Sequence, residues 1–212
     1  MCGFQRKVII GLDPGSLHFG YAVIEGSCLK IKNRQPSSSN RPSVQALDYG
    51  VIHAGQQGKA LSFRLCRIYE KLDVLFAKWK PDMVSVEEIF YHKNVKSAVV
   101  LAHARALGLL LCEKYEGELR EYSPRKIKLS VAGKGSASKE QVQQMVCAQL
   151  GIRGLDLDLN ISDALAVGLC AYYDLQNPFP SRQHGGMAGS KASGARWTLG
   201  AILARGLSVR KQ

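Results

Sequence analysis

Val8-Ile9-Ile10-Gly11-Leu12-Asp13-Pro14-Gly15-Ser16 is an apolar run that stops at an acid and a Pro-Gly turn. A short apolar run bounded by turn residues reads as a buried strand. Phe19-Gly20-Tyr21-Ala22-Val23-Ile24 follows at once and reads as its hairpin partner, with Leu47–Ile52 as a third strand, so the beginning of the chain is expected to form an antiparallel meander. Then the period changes. Leu61, Leu65, Ile68, Leu72, Leu75 and Trp79 recur every three or four residues, one face of a helix that Pro81 ends. Met83–Glu87 is again strand-like, and the helix before it predicts that it lies parallel to the first strand. Val95–Cys112 reads as a second long helix and Leu119–Tyr122 as a short strand. Ser123-Pro124 is a cap followed by proline at the first helical position, with that helix ending near Gly133. Ser138-Lys139-Glu140-Gln141 fits a capping box. Leu155–Ile161 reads as a loop, and Ser162-Asp163 as the start of a last helix reaching about Leu175. The order βββαβαβα predicts an α/β fold: a mixed five-stranded sheet of three antiparallel plus parallel strands, with helices on both faces.

The chain has 212 residues, 46% apolar and 22% charged, enough for one globular domain with extensions. Residues 1–176 are assigned to the domain, with residues 27–45, rich in Ser, Asn, Pro and Lys, as a flexible insertion within it. Residues 177–212 are expected to be a basic, flexible tail: Asn177–Gly194 is a Gly-, Pro- and Ser-rich linker, and Trp197–Leu207 a short basic amphipathic helix. The net charge is +12, which suits an anionic polymer as partner, although a generic basic protein shows the same balance. No acid follows Asp174, while Arg182, Lys191, Arg196, Arg205, Arg210 and Lys211 do.

No uninterrupted apolar stretch of the length a membrane helix needs is present, and Met1–Lys7 runs straight into a strand, so neither a membrane span nor a secretory leader is expected. The cysteines, Cys2, Cys28, Cys66, Cys112, Cys147 and Cys170, form no Cys-x-x-Cys pair, and four fall in apolar helical patterns. They read as reduced, mostly buried thiols of a cytoplasmic protein, without a zinc site.

Three acids stand where chemistry is expected. Asp13 ends the first strand, Glu87 ends an otherwise apolar strand, and Asp163 begins a helix, with Asn160 three residues earlier. If the two strands are adjacent and parallel, Asp13 and Glu87 emerge at one carboxyl edge, where open α/β sheets place their sites. Clustered carboxylates stay ionised together only near cations, and hard oxygen ligands suit Mg²⁺ or Mn²⁺. Each acid has a plainer reading. Asp13 is also a turn former, Glu87 an edge-strand ion-pair partner with Glu88 beside it as the alternative acid, and Asp163 a residue that serves the helix dipole.

Gly11-Leu12-Asp13-Pro14-Gly15-Ser16 followed by Gly20-Tyr21, then Val86-Glu87-Glu88-Ile89-Phe90 with Lys93-Asn94, Ser97-Ala98, Ala104-Arg105 and Gly108, then Tyr122–Arg125 through Lys128 and Gly133–Gln143, and finally Ser162-Asp163-Ala164-Leu165-Ala166, occur in order along the chain. Together they resemble the motifs of the RuvC family, the bacterial crossover (Holliday) junction endodeoxyribonucleases, over roughly residues 8–175. The resemblance implies a ribonuclease-H-like fold, a homodimer, and paired, Mg²⁺-dependent cutting of a four-way DNA junction with two ions per site, Mn²⁺ substituting. By motif position it implies Asp13, Glu87 and Asp163 as catalytic metal ligands. It implies DNA contacts from Phe90, Lys93, Arg105, Lys128, Lys134 and Lys139, and branch-migration motor proteins as partners. From the residues alone Phe90 reads equally as core, and Lys128 and Lys139 as solvated helix lysines.

The family pattern has an acid, or in one branch a histidine, three residues before the Asp163 position; here it is Asn160, a neutral amide that brings no charge. Asp158 is the nearby alternative for a fourth ligand. That departure motivates a rival, a junction-binding protein with weakened or lost cleavage. Another ribonuclease-H-like nuclease acting on RNA–DNA hybrid is a second rival. The Asp13–Gly15 turn alone also fits an actin-like ATPase or sugar kinase, but that class needs a second Gly-rich phosphate loop, and the chain is short for its two lobes.

Overall fold

The computed structural model describes residues 4–29, 43–56, 58–88, 95–152 and 157–176. Five strands form one sheet in the order β3-β2-β1-β4-β5. β1 (Phe4–Asp13) pairs antiparallel with β2 (His18–Leu29), which pairs antiparallel with β3 (Val44–His53). On its other side β1 runs parallel to β4 (Met83–Glu87), and β4 parallel to β5 (Glu118–Tyr122). The two parallel joins each contain a helix, α1 (Leu61–Trp79) and α2 (Val95–Lys114). α3 (Pro124–Ala132), α4 (Lys139–Leu150) and α5 (Leu159–Gln176) follow.

Strand alternation divides the core into two layers. Ile9, Ala22, Ile24 and Met83 face α3, α4 and α5, while Ile10, Leu12, Val23, Val84 and Val86 face α1 and α2. Each fully buried Ile or Leu adds about 1.5–3 kcal/mol of apolar transfer, so the central strands are held from both sides. Asp13 is two and four residues beyond Gly11 and Ile9, and Glu87 four beyond Met83, so both acids point to the α5 side.

Close approach of α5 depends on a missing side chain. A Cβ on Gly11 would run into the Ala164 carbonyl oxygen and lie 2.8 Å from the Gly168 nitrogen. α5 therefore rests its backbone against β1. Opposite, Gly108 of α2 receives the Leu12 side chain.

Helix ends follow the local chemistry. Ser123 accepts from the Lys126 N–H with Pro124 at the first helical position, and Gly133 closes α3 at φ 71°. Ser138 and Gln141 form the reciprocal capping box of α4, a device in which loss of the cap costs about 1 kcal/mol.

Two expectations are corrected. Residues 27–45 are not wholly an insertion: β2 continues to Leu29, β3 begins at Val44, and the Ser27 N–H donates to the Ser43 carbonyl at 2.9 Å. Residues 30–42 lie outside the described residues, as do 177–212 with the expected tail helix. The segment 155–161 is not all loop, because α5 begins at Leu159 and Asp158 Oδ1 accepts from the Asn160 N–H at 2.8 Å. Asp163 thus sits in the second turn of α5, beyond the orphan donors that a helix-dipole role would serve. The cysteines agree with the expectation of mostly buried thiols: Cys112, Cys147 and Cys170 are buried, and Cys66 is exposed on α1.

α2 is long and apolar enough by composition to cross a bilayer, at 20 residues. It packs on the sheet layer through Ala104, Gly108, Leu111 and Cys112.

Candidate functional site

The last paired residues of β1 and β4 are Leu12 and Val86, so Asp13 and Glu87 leave the sheet side by side at its carboxyl edge. Asp163 reaches the same place from α5, one residue before Ala164, whose carbonyl lies against Gly11. A cavity of about 600 Å³ opens there, lined by Asp13, Glu87, Glu88, Arg105, Lys139, Asn160 and Asp163, among others. A smaller recess of about 250 Å³ adjoins it, where Lys128 joins Glu87, Lys139 and Asp163.

The electrostatics follow from crowding. Burial pushes the Asp13 carboxyl from 3.8 up to about 7, with further upward pressure from Asp163 and Glu87 and a downward pull from Lys139. Glu87 is also raised, chiefly by burial and next by Asp163, while Lys139 and Lys128 hold it down. Lys139 Nζ donates to Asp163 Oδ2 at 2.9 Å, which holds the ammonium above its ordinary value. A lysine in the first turn of α4 opposes the helix dipole; the capping box places it there, and Asp163 compensates it.

The carboxylates share a cavity rather than one coordination point. Among the described residues no three His, Cys, Asp or Glu side chains converge closely enough to hold a single ion. The donor set nonetheless fits divalent cations. Asp13 and Glu87, with raised affinities for protons, stand beside Asp163, to which Lys139 is bonded, and all three acids offer hard oxygens.

Asn160 lines the cavity, and Asp158 is not among the lining residues. Asp158 Oδ1 accepts both the Asn160 N–H and the Asn160 Nδ2 at 2.8 Å. Only the amide nitrogen can donate to a carboxylate, so the orientation of the Asn160 amide is fixed by chemistry and its Oδ1 is left for other partners.

Other residues singled out from the sequence fall into three groups. Arg105 lines the cavity but is committed by an ion pair to Glu121 of β5, and its Nε is buried with no hydrogen-bond partner among the described residues. Lys134 is exposed on the loop after α3 and lines neither cavity. Phe90 and Lys93 lie outside the described residues.

No signal in the sequence marks Arg64. From the first turn of α1 its Nη1 donates to Ser16 Oγ at 2.9 Å and to the Ser16 carbonyl at 3.4 Å, in the turn that follows Asp13. Nothing in its one-dimensional context, a polar position in an amphipathic helix, distinguishes it from a solvated arginine.

Comparison with known proteins gives one family. A family model described as crossover junction endodeoxyribonuclease RuvC matches residues 9–171. Similar proteins include the crossover junction endodeoxyribonuclease RuvC of Alkaliphilus metalliredigens, 35% identical over 165 residues, covering 77% of this chain and 91% of the relative. That of Chlorobium phaeobacteroides is 38% identical over 163 residues, covering 77% and 80%. Among solved structures, Thermus thermophilus RuvC in complex with a Holliday junction substrate superposes with a TM-score of 0.67 at 25% identity, covering 80% of this chain and 95% of that one. The yeast mitochondrial Holliday junction resolvase Ydc2 gives 0.51 at 13% identity over 79% of each chain, a likeness of fold.

Proposed function

The chain belongs to the RuvC family of crossover junction endodeoxyribonucleases, and from that membership we propose that it resolves four-way DNA junctions at the carboxylate cavity, with Asp13, Glu87 and Asp163 as its metal-holding residues. The fold is the ribonuclease-H-like α/β fold of that family, and the activity is phosphodiester hydrolysis in DNA recombination and repair. Family membership implies the use of divalent metal; Mg²⁺, two ions per site and substitution by Mn²⁺ are our finer reading. The observation that carries it is the meeting of Asp13, Glu87 and Asp163, from three separate elements, on one cavity where burial and mutual repulsion raise the Asp13 carboxyl to about 7.

The chain's own groups have distinct tasks. Asp13, Glu87 and Asp163 supply anionic oxygens, and the fixed amide of Asn160 supplies a neutral one. When bound, divalent cations polarise the phosphodiester and lower the pKa of attacking water. Lys139 and Lys128, flanking Glu87 and Asp163, offset negative charge that develops on the phosphate. Arg105, Lys134, Phe90 and Lys93 are assigned to DNA contact by their motif positions, and a basic surface of net +12 supports binding that weakens with salt.

A homodimer would present two such sites for the paired cut. Its support is the outer face of α2, where Val95, Val99 and Leu110 are 72%, 48% and 62% exposed. Branch-migration motors as partners and a cytoplasmic location complete the proposal; both follow from a role on chromosomal junctions.

Asn160 is the specific observation favouring a second reading, junction binding with weakened cleavage. The test is a labelled four-way junction incubated with purified protein and Mg²⁺, with linear duplex and RNA–DNA hybrid alongside. Paired incisions in the junction are expected, abolished in Asp13→Asn with binding retained. Full activity in that variant would overturn the site assignment. Tight binding with no product at any Mg²⁺ concentration would establish the second reading.

A further inference from the structure

We propose that Arg64 is a positioning residue for Asp13, acting through Ser16; the inference rests on the reading of Asp13 as a metal ligand. Asp13 is the last residue of β1, and the chain must reverse between it and His18, where β2 begins. The turn is sharp: a Cβ on Gly15 would run into the His18 carbonyl oxygen. Pro14–Leu17 has no strand or helix ladder to hold it. Among the described residues two hydrogen-bonding partners from outside do so. The Ala54 N–H donates to the Leu17 carbonyl at 3.0 Å, and Arg64 Nη1 grips Ser16 at its hydroxyl and carbonyl.

Arg64 comes from α1, the layer opposite α5. The acid is therefore approached on one face by Asp163 of α5, while the turn beyond it is anchored to the other layer. Among the described residues Arg64 Nε is buried without a hydrogen-bond partner. An unmade bond of that kind costs free energy, which the two bonds from Nη1 to Ser16 offset. Arg64 does not line the carboxylate cavity, and the charges that move the Asp13 carboxyl are those of Asp163, Glu87, Lys139 and Asp158. Its influence on Asp13 is thus mechanical, through two bonds to the turn, rather than through its field or through contact with phosphate. Small displacements of a reacting group are expensive in rate, on the order of a hundredfold for 1 Å.

The experiment compares wild type, Arg64→Ala, Arg64→Lys, Ser16→Ala and the Arg64→Ala/Ser16→Ala double variant, with Asp13→Asn as reference. Single-turnover cleavage is measured at saturating junction and Mg²⁺, Mn²⁺ affinity by calorimetry, and junction affinity in EDTA. Arg64→Ala is expected to lower the rate about ten- to a hundredfold and to weaken Mn²⁺ binding, with junction affinity held within about twofold. Ser16→Ala moves the same way by less, the double variant is no worse than Arg64→Ala, and Arg64→Lys recovers part of the rate. Ser16→Ala alters no charge and decides the matter if alanine at position 64 melts early. A wild-type rate in both single variants, with Asp13→Asn inactive, overturns the inference. So does a loss confined to junction affinity, which would make Arg64 a DNA contact. Activity in Asp13→Asn would instead remove the site reading beneath it.

Discussion

The Lys139 ammonium lies 2.9 Å from an Asp163 carboxylate oxygen, on the wall of the cavity that also holds Asp13 and Glu87. The chain thus brings a monovalent cation of its own to one of its three acids. A divalent ion approaching Asp163 meets that ammonium, and the two repel.

Lys139→Met is therefore expected to separate ion binding from catalysis. At pH 8, where protons compete little for the carboxylates, the variant binds Mn²⁺ as tightly as wild type or more so, while junction cleavage slows at least tenfold through loss of positive charge beside the phosphate. Calorimetry and single-turnover kinetics on the same preparation check both halves. Weaker Mn²⁺ binding in Lys139→Met would show the lysine to be a support of the site rather than a competitor within it.

The raised Asp13 carboxyl has a stability consequence. Its value in the folded chain is about 7 against 3.8 for the free group. Between those two pH values the native state keeps a proton that the unfolded chain has released, so stability falls as pH rises through that window. Asparagine at position 13 does not titrate. In EDTA the melting temperatures of wild type and Asp13→Asn are expected to coincide near pH 4 and to diverge up to about pH 7, with the variant higher. Millimolar Mg²⁺ should raise the wild type and leave the variant almost unmoved. A difference independent of pH would mean that Asp13 is solvated like a surface acid.

Much of this site is legible in the sequence because strand alternation and a parallel crossover are local rules. Once Val8–Leu12 and Met83–Val86 are read as neighbouring parallel strands, Asp13 and Glu87 must share an edge. The start of α5 was not legible in the same way. Leu155–Asp163 offers Asp156, Asp158, Asn160 and Ser162 as rival caps, and the choice is made by tertiary contact: a Cβ on Gly20 would run into the Asn160 carbonyl oxygen, which seats the first turn against β2. The Arg64–Ser16 bond escaped for a similar reason, since 48 residues separate partners that only the folded layers bring together. The sequence pattern makes β2 and β3 short because their outer ends, Gly26–Leu29 and Val44–Ala46, mix polar and small residues that resemble loop.

Gly11→Ala is expected to damage the site from behind. The added methyl meets α5 backbone at Ala164 and Gly168, which cannot rotate away as a side chain does. Overpacking of this kind costs about 1–3 kcal/mol, and here the strain is relieved by pushing α5, with Asp163 on it, off β1. The melting temperature should fall by several degrees and Mn²⁺ affinity should fall with it. A stable variant with unchanged ion binding would show that α5 and β1 have slack between them.

The outer face of α2 should govern assembly. Val95, Val99 and Leu110 are exposed, and on an α-helix positions 95, 99 and 110 fall along one stripe with Ala102, His103 and Ala106 between. Burial of such a stripe against its copy removes apolar surface without disturbing the core. Val99→Glu with Leu110→Glu is expected to convert a dimer into a monomer in sedimentation, with the melting profile of the fold retained, and to uncouple the paired cuts into single nicks. A dimer that survives both changes would place the interface elsewhere.

Asn160→Asp tests what the missing fourth charge does. Asp158 now accepts from both the backbone N–H and the side-chain amide of Asn160. An aspartate at 160 keeps the first bond but turns the second into a repulsion between carboxylates, so the side chain is driven away from Asp158 and toward the cavity its predecessor already lines. There it adds a fourth anionic oxygen to Asp13, Glu87 and Asp163, which strengthens ion binding and pushes the Asp13 carboxyl further up. About tenfold tighter Mn²⁺ binding is expected, one such factor being about 1.4 kcal/mol, together with faster cleavage at limiting Mg²⁺. The loss at the start of α5 is small because Asp158 keeps its bond to the backbone. If the variant instead binds Mn²⁺ as before and merely melts earlier, Asn160 belongs to the helix cap and the three acids alone hold the ions.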